Sequence, residues 1–258
     1  MTTRSGGERA SVLAQLMTVA QRRWGARALG RGLALPAGHP PLPTGVAPLD
    51  ALLGGGLPAG GITEVLGRPT SGASTLALHV VAQAQARGQL VAVVDLAGRF
   101  HPAYAAACGV DLASLLLVRP ASAADALALV AGLIDLALGL IVVPALAALH
   151  QTTDGQRRLA QALPRWQRAL AGAPTVVLAL TYLPYPPPLV ARLAGHGSAL
   201  ARAAPLRLHI ARQGWNLHDP GTPQCHAQVT VLRRRGAPDQ TTCPLTLALP
   251  IDCDAEGV

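Results

Sequence analysis

The feature that most limits the fold of this chain is its alternation of short apolar runs with segments of helical period. The runs Leu90–Asp95 (LVAVVD), Leu140–Val143 (LIVV) and Thr175–Leu180 (TVVLAL) are apolar except for Asp95 at the end of the first and Thr175 at the start of the last. Strands read this way when both faces of their sheet are covered, because no side of the sheet meets water. A fourth run, 62–66, ends in a Gly-rich turn. Between the runs, 74–87, 123–138 and 157–171 have helical spacing, the first with Leu76, Leu78, Val80 and Val81 as its buried side. Strand–helix alternation predicts an α/β domain with a mostly parallel central sheet and helices on both faces. The segments 206–210, 228–232 and 245–249 are expected as later, antiparallel strands. No internal repeat is visible.

Between the first strand and its helix lies Gly67-Arg68-Pro69-Thr70-Ser71-Gly72-Ala73-Ser74-Thr75. A P-loop has GxxxxGK[ST] in this setting, with glycines that let backbone N–H groups curl round phosphates and a hydroxyl that reaches Mg²⁺. Here the glycines are in place, and Ser74 is the possible Mg²⁺ ligand. The lysine position holds Ala73. Phosphoryl transfer relies almost wholly on electrostatics, so losing that charge lowers catalysis by orders of magnitude even where some nucleotide still binds. No cofactor is required on this reading, and ATP with Mg²⁺ is expected to bind weakly if at all.

The formal charge is +8, and all 21 basic residues are Arg. A basic, carboxylate-poor surface suits polyanions, nucleic acid before an anionic membrane surface. Compositional drift toward arginine and alanine, with no partner implied, is the other reading. Drift alone would more readily have left Arg than Ala at position 73. Cys108, Cys225, Cys243 and Cys253 lack CxxC spacing, so free thiols are expected and a metal site is not. The N-terminus has no signal-peptide run, and the apolar stretch 124–149 is broken by Asp125, Asp135, Gly139 and Pro144. A soluble cytoplasmic protein, not a membrane partner, is expected.

Residues 1–40 are expected to form an arm and 41–258 the core. Ser11 caps a helix whose Leu13, Leu16, Met17, Ala20 and Trp24 share one face. That face packs either on the chain's own core or on a neighbouring protomer in a homo-oligomer. His79 and His209 fall in apolar patterns and are expected to be packed, not catalytic.

Several segments in order resemble the RecA recombinase family. They are Pro43-Thr-Gly-Val-Ala-Pro-Leu-Asp50, Leu53-Gly-Gly-Gly-Leu-Pro-Ala-Gly-Gly-Ile-Thr-Glu64, Ser74-Thr-Leu-Ala-Leu-His79, Val94-Asp95, His101-Pro-Ala-Tyr-Ala105 and Cys108-Gly-Val-Asp111, with Thr175-Val-Val and Gly197-Ser-Ala-Leu200 further on. The resemblance implies a RecA-like P-loop NTPase fold without the family's C-terminal domain, in which Asp50 and Glu64 make structural hydrogen bonds. It also locates departures. The family's catalytic glutamate falls at Ala97, its Mg²⁺-side aspartate at Pro144, and its γ-phosphate-sensing glutamine near Thr181. With Ala73, these mark a degenerate ATPase with no catalytic residue to assign.

The resemblance places Arg233 and Arg235 where a basic pair reaches the neighbouring subunit's nucleotide. They form an interprotomer or DNA-facing cluster, or a solvated strand end. Arg157, Arg158, Arg165 and Arg168 follow the first DNA-loop position (150–155), and Arg192 lies in the second (183–196). They contact single-stranded DNA through phosphates, without sequence preference, or they line a solvated helix face. Short relatives of this kind include ImuA-type proteins, which accompany translesion polymerases in the bacterial DNA-damage (SOS) response, and cell-division-inhibitor-like proteins. The implied role is a non-catalytic adaptor for DNA, RecA or a translesion polymerase. The alternative is an ATP-dependent, single-stranded-DNA-binding ATPase with atypical Walker residues.

Overall fold

The computed structural model describes residues 39–144, 146, 152–182, 198–216, 223–234 and 237–249, the last segment's 237 and 238 by backbone alone. The expected N-terminal helix, Arg192, Arg235, Cys253, residues 150 and 151 of the first DNA-loop position and all of the second (183–196) lie outside these residues.

The sheet is built from β1 (Gly61–Gly67), β2 (Val91–Val94), β3 (Leu115–Val118), β4 (Leu140–Val143), β5 (Val176–Tyr182), β6 (Leu206–Asn216), β7 (Gln224–Arg234), β8 (Ala237–Pro238) and β9 (Thr242–Ala248). The order is β3-β2-β4-β5-β1-β6-β7-β8, with β9 also paired to β7, along Gln224–Thr230 on the edge away from β6. From β3 to β6 every pairing is parallel, and the pairings of β7 with β6, β8 and β9 are antiparallel. The α/β class expected from the alternation is the fold observed.

The helices are α1 (Ala47–Leu53), α2 (Ala73–Ala86), α3 (Pro102–Ala107), α4 (Ala123–Asp135), α5 (Thr153–Leu170) and α6 (Ala199–Ala203). The inner strands β1, β2, β4 and β5 divide their side chains between two cores. In β4, Leu140 and Val142 join the cluster under α2, while Ile141 and Val143 join the cluster under α4 and α5. That period-2 division explains why the runs 91–94, 140–143 and 176–180 carry no polar position. Fully buried Trp166 of α5 anchors the second cluster and donates its indole N–H to the Leu127 carbonyl.

Three differences from the sequence expectations have physical reasons. Segment 206–210 is parallel to β1 (Thr63 opposite Leu206) and antiparallel only to β7, because the chain crosses over through α6 before entering it. Strand β3 was not expected: it is a sheet edge with only partly buried side chains, so its Leu-rich run lacks a strand signature. Helix α5 starts four residues before 157, where the Thr152 hydroxyl accepts from the Gly155 N–H and caps it.

Residues 39–258 pack as one compact unit. Among the described residues, no helix is long and apolar enough to cross a membrane.

Candidate functional site

Strand β1 lies between β5 and β6, in the middle of the sheet, and delivers the Gly-rich loop at its C-terminal end. This is where open α/β sheets bind ligands. A Cβ at Gly67 would collide with the Ser71 hydroxyl and Ile210. Gly72 precedes α2 with φ +93°, and a Cβ there would meet Leu247 at 2.8 Å. The loop therefore needs both glycines, one for close packing and one for a left-handed turn. Thr70 also has positive φ (64°). It accepts a 2.7 Å hydrogen bond on Oγ1 from Arg212 of β6, whose guanidinium lies 4.9 Å from the Trp215 ring centroid. Arg68, Pro69 and Thr70 are exposed, and Ser71 and Ala73 are buried.

Two tyrosines meet the first turn of α2. Tyr182 ends β5 directly beside Gly67, and its hydroxyl lies 2.6 Å from Ser74 Oγ. Tyr104 of α3 lies 2.7 Å from Thr75 Oγ1. Burial pushes the Tyr104 phenol up from its ordinary range, so it stays protonated near neutrality.

Next to this turn is a cavity of about 220 Å³. Val93, Val142, Pro144 and Leu180 form an apolar wall at the strand ends, Ser74, Arg99, Phe100, His101 and Tyr104 also line it, and among the described residues no carboxylate does. Asp95, which ends β2, is turned elsewhere. Its carboxylate accepts the backbone N–H groups of Arg99 and Phe100, each at 2.9 Å, and so ties the following turn. Ala97 is exposed. Among the described residues, no cluster of three or more His, Cys, Asp or Glu side chains could hold a metal.

The expected basic residues do not form one patch. Arg157, Arg158, Arg165 and Arg168 are exposed on α5; Arg158 pairs with Asp154 at 2.6 Å, and Arg165 lies 3.7 Å from Asp135. Arg233 is spent within the fold, donating to the carbonyls of Ala201 (2.7 Å) and Arg202 (3.2 Å). Arg234 likewise donates to the Leu52 carbonyl and lies 3.0 Å from Asp239. His79 and His209 are half-buried, and burial lowers both below the usual histidine range. Asp50 accepts from the N–H and hydroxyl of Thr44, and Glu64 accepts from Thr181 and Arg207, as structural carboxylates do.

Sequence reasoning missed Arg212, Trp215, Tyr104 and Tyr182 as site residues. Their only signal was position: the ends of strands and of the first helical turns near a Gly-rich loop.

The family model of the RecA N-terminal domain matches residues 29–171, more than half of the chain. The chain belongs to the RecA family. It is 38% identical over 154 residues to Protein RecA of Chlorobium chlorochromatii, covering 54% of this chain and 44% of that protein. It is also 38% identical over 177 residues to Protein RecA of Bifidobacterium breve, covering 61% and 45%. Over 108 residues it is 45% identical to Protein RecA of Chlorobium limicola, covering 41% and 31%. The chain thus matches less than half the length of these RecA proteins. For a RecA-family member its loop is intact in backbone, but the surrounding side chains do not fit a Mg²⁺–triphosphate poised for cleavage. Mg²⁺ takes oxygen ligands, usually with one or two carboxylates. Among the described residues the cavity lining offers none, and the Ser74 hydroxyl is already paired.

Proposed function

We propose that this RecA-family chain acts in bacterial DNA repair as an adaptor of the ImuA type. On this reading it binds single-stranded DNA without sequence preference and engages RecA or a translesion polymerase, with no ATP turnover. The observation that carries the proposal is the wall of Val93, Val142, Pro144 and Leu180 beside the loop. Hydrolysis needs carboxylates at that place, to hold the metal and orient water. An apolar wall supplies neither. What supports DNA binding is the exposed arginine face of α5 and the chain's net charge of +8. Oligomerisation through the N-terminal arm belongs to the same proposal.

The test pairs ATP hydrolysis with DNA binding by fluorescence anisotropy. The wild type and Ala73→Lys should both show no turnover, with or without single-stranded DNA, because restoring the lysine leaves the carboxylates missing. Replacing Arg157, Arg158, Arg165 and Arg168 together by Ala should weaken DNA binding. It should also flatten the salt dependence by up to about 0.7 per lost phosphate contact in log K against log salt. DNA-stimulated turnover by the wild type would establish instead the ATP-dependent reading, which the intact loop backbone and Ser74 favour.

A further inference from the structure

In a phosphate loop, the hydroxyl after the lysine position reaches the metal. In this chain that hydroxyl, Ser74 Oγ, has the Tyr182 phenol 2.6 Å away. The placement is built into the sheet. Tyr182 is the parallel-register neighbour of Gly67, so it stands beside the first residue of the loop and reaches across to its far end. The bond links β5 to α2 over the side of the loop that faces the apolar cavity, which Ser74 also lines.

The geometry competes with a metal. Mg²⁺ demands near-octahedral ligands at 2.0–2.1 Å, so neighbouring ligands stand about 2.9 Å apart. A phenol oxygen 2.6 Å from Ser74 Oγ crowds the place next to Ser74 in such a shell. A phenol O–H is a poor ligand for Mg²⁺, which prefers carboxylate, phosphate and water oxygens. For the metal to use Ser74, the tyrosine must leave.

We propose that Tyr182 is a specificity-determining plug on the metal side of the loop. It ties up Ser74, fills a neighbouring ligand place and makes the loop discriminate against Mg²⁺-bound nucleotides. The proposal deepens the non-hydrolytic reading of the loop and rests on it. It does not depend on the arginine face, so failed DNA binding would sink the adaptor role and leave the plug untouched.

The test is isothermal titration calorimetry of ADP and ATP, in Mg²⁺ or in EDTA, on the full chain. The proteins compared are the wild type, Tyr182→Phe, and Tyr182→Phe combined with Ser74→Ala. Tyr182→Phe should bind the nucleotides in Mg²⁺ at least fivefold more tightly than the wild type. In EDTA its affinity should move less than the gain seen with the metal. Adding Ser74→Ala should erase the gain, which separates release of the hydroxyl from mere opening of the site. A gain below fivefold in Mg²⁺, including no binding by either protein, overturns the proposal. So does an equal gain in EDTA, or one that survives Ser74→Ala. Melting curves check the fold of each variant, and Tyr182→Leu removes the same hydroxyl if Tyr182→Phe is poorly folded.

Discussion

Substituting Glu64→Gln tests the strut beneath the phosphate loop. Glu64 on β1 and Arg207 on β6 stand opposite each other in parallel register, with Arg207 Nε 2.6 Å from Glu64 Oε2. Both side chains are at most 4% exposed, and Thr181 of β5 donates to the other carboxylate oxygen at 2.9 Å. The three residues tie together the central strands that carry the loop. Gln keeps the shape and one acceptor but removes the negative charge facing the buried guanidinium. Breaking a buried pair from one side costs about 3–5 kcal/mol, most of it the penalty of the charge left behind. For a domain of this size each kcal/mol moves the melting temperature by about 2–4 °C. Glu64→Gln should therefore lower Tm by roughly 6–20 °C. The double variant Glu64→Leu/Arg207→Met removes both charges and should recover most of that loss, since apolar replacement of a buried pair is often neutral or stabilising. Calorimetric melting of the wild type, both singles and the double closes the cycle. The reasoning is refuted if Glu64→Gln melts within about 2 °C of the wild type, or if the double loses as much as the two singles added together.

Two further perturbations check the loop and the half-buried histidines. Gly72→Ala forces an L side chain to φ +93° with its Cβ 2.8 Å from Leu247, so it should lower stability by roughly 1–3 kcal/mol in a denaturant titration. Burial lowers His79 and His209, so the unfolded chain takes up their protons near pH 6.5, before the folded one does. Their contribution is fully present above that pH and is lost as the pH falls below it. Tm should decline between about pH 7 and 5, and less steeply in His79→Gln/His209→Gln.

The sequence was most legible where burial left a local pattern. Strands β2, β4 and β5 lie between two helical layers, so their apolar runs announced them, and the loop announced itself through Gly67, Gly72 and Ser74. Contacts between residues far apart in the chain left no such trace. Ser74 and Tyr182 meet across 108 positions, and Glu64 and Arg207 across 143. No residue in either pair predicts its partner by spacing. The direction of β6 was misjudged for the same reason, since parallel or antiparallel pairing depends on the crossover before the strand and not on the strand's own residues. Arg233 illustrates a subtler limit: a basic run at a strand end reads alike whether its guanidinium faces a partner or, as here, the carbonyls of Ala201 and Arg202. The missing catalytic carboxylates were legible because they are identities at positions. The apolar wall they leave behind required three strand ends, those of β2, β4 and β5, to be brought together.

The central place of β1 also sets an order of events during synthesis. It is the first strand of the sheet to leave the ribosome, yet its two neighbours, β5 and β6, are among the later ones: Gly61 pairs with Val176, and Thr63 with Leu206. Until β5 emerges, β1 has two open edges, and its Gly-rich loop has no floor of Ile210 and Leu247 to rest on. Parallel pairings between such distant segments close slowly, because the loop entropy is lost before any contact is gained. A nascent or truncated chain ending before β5 therefore leaves apolar β1 with nothing to pair with, which is the form of this protein most open to aggregation, chaperone capture and proteolysis.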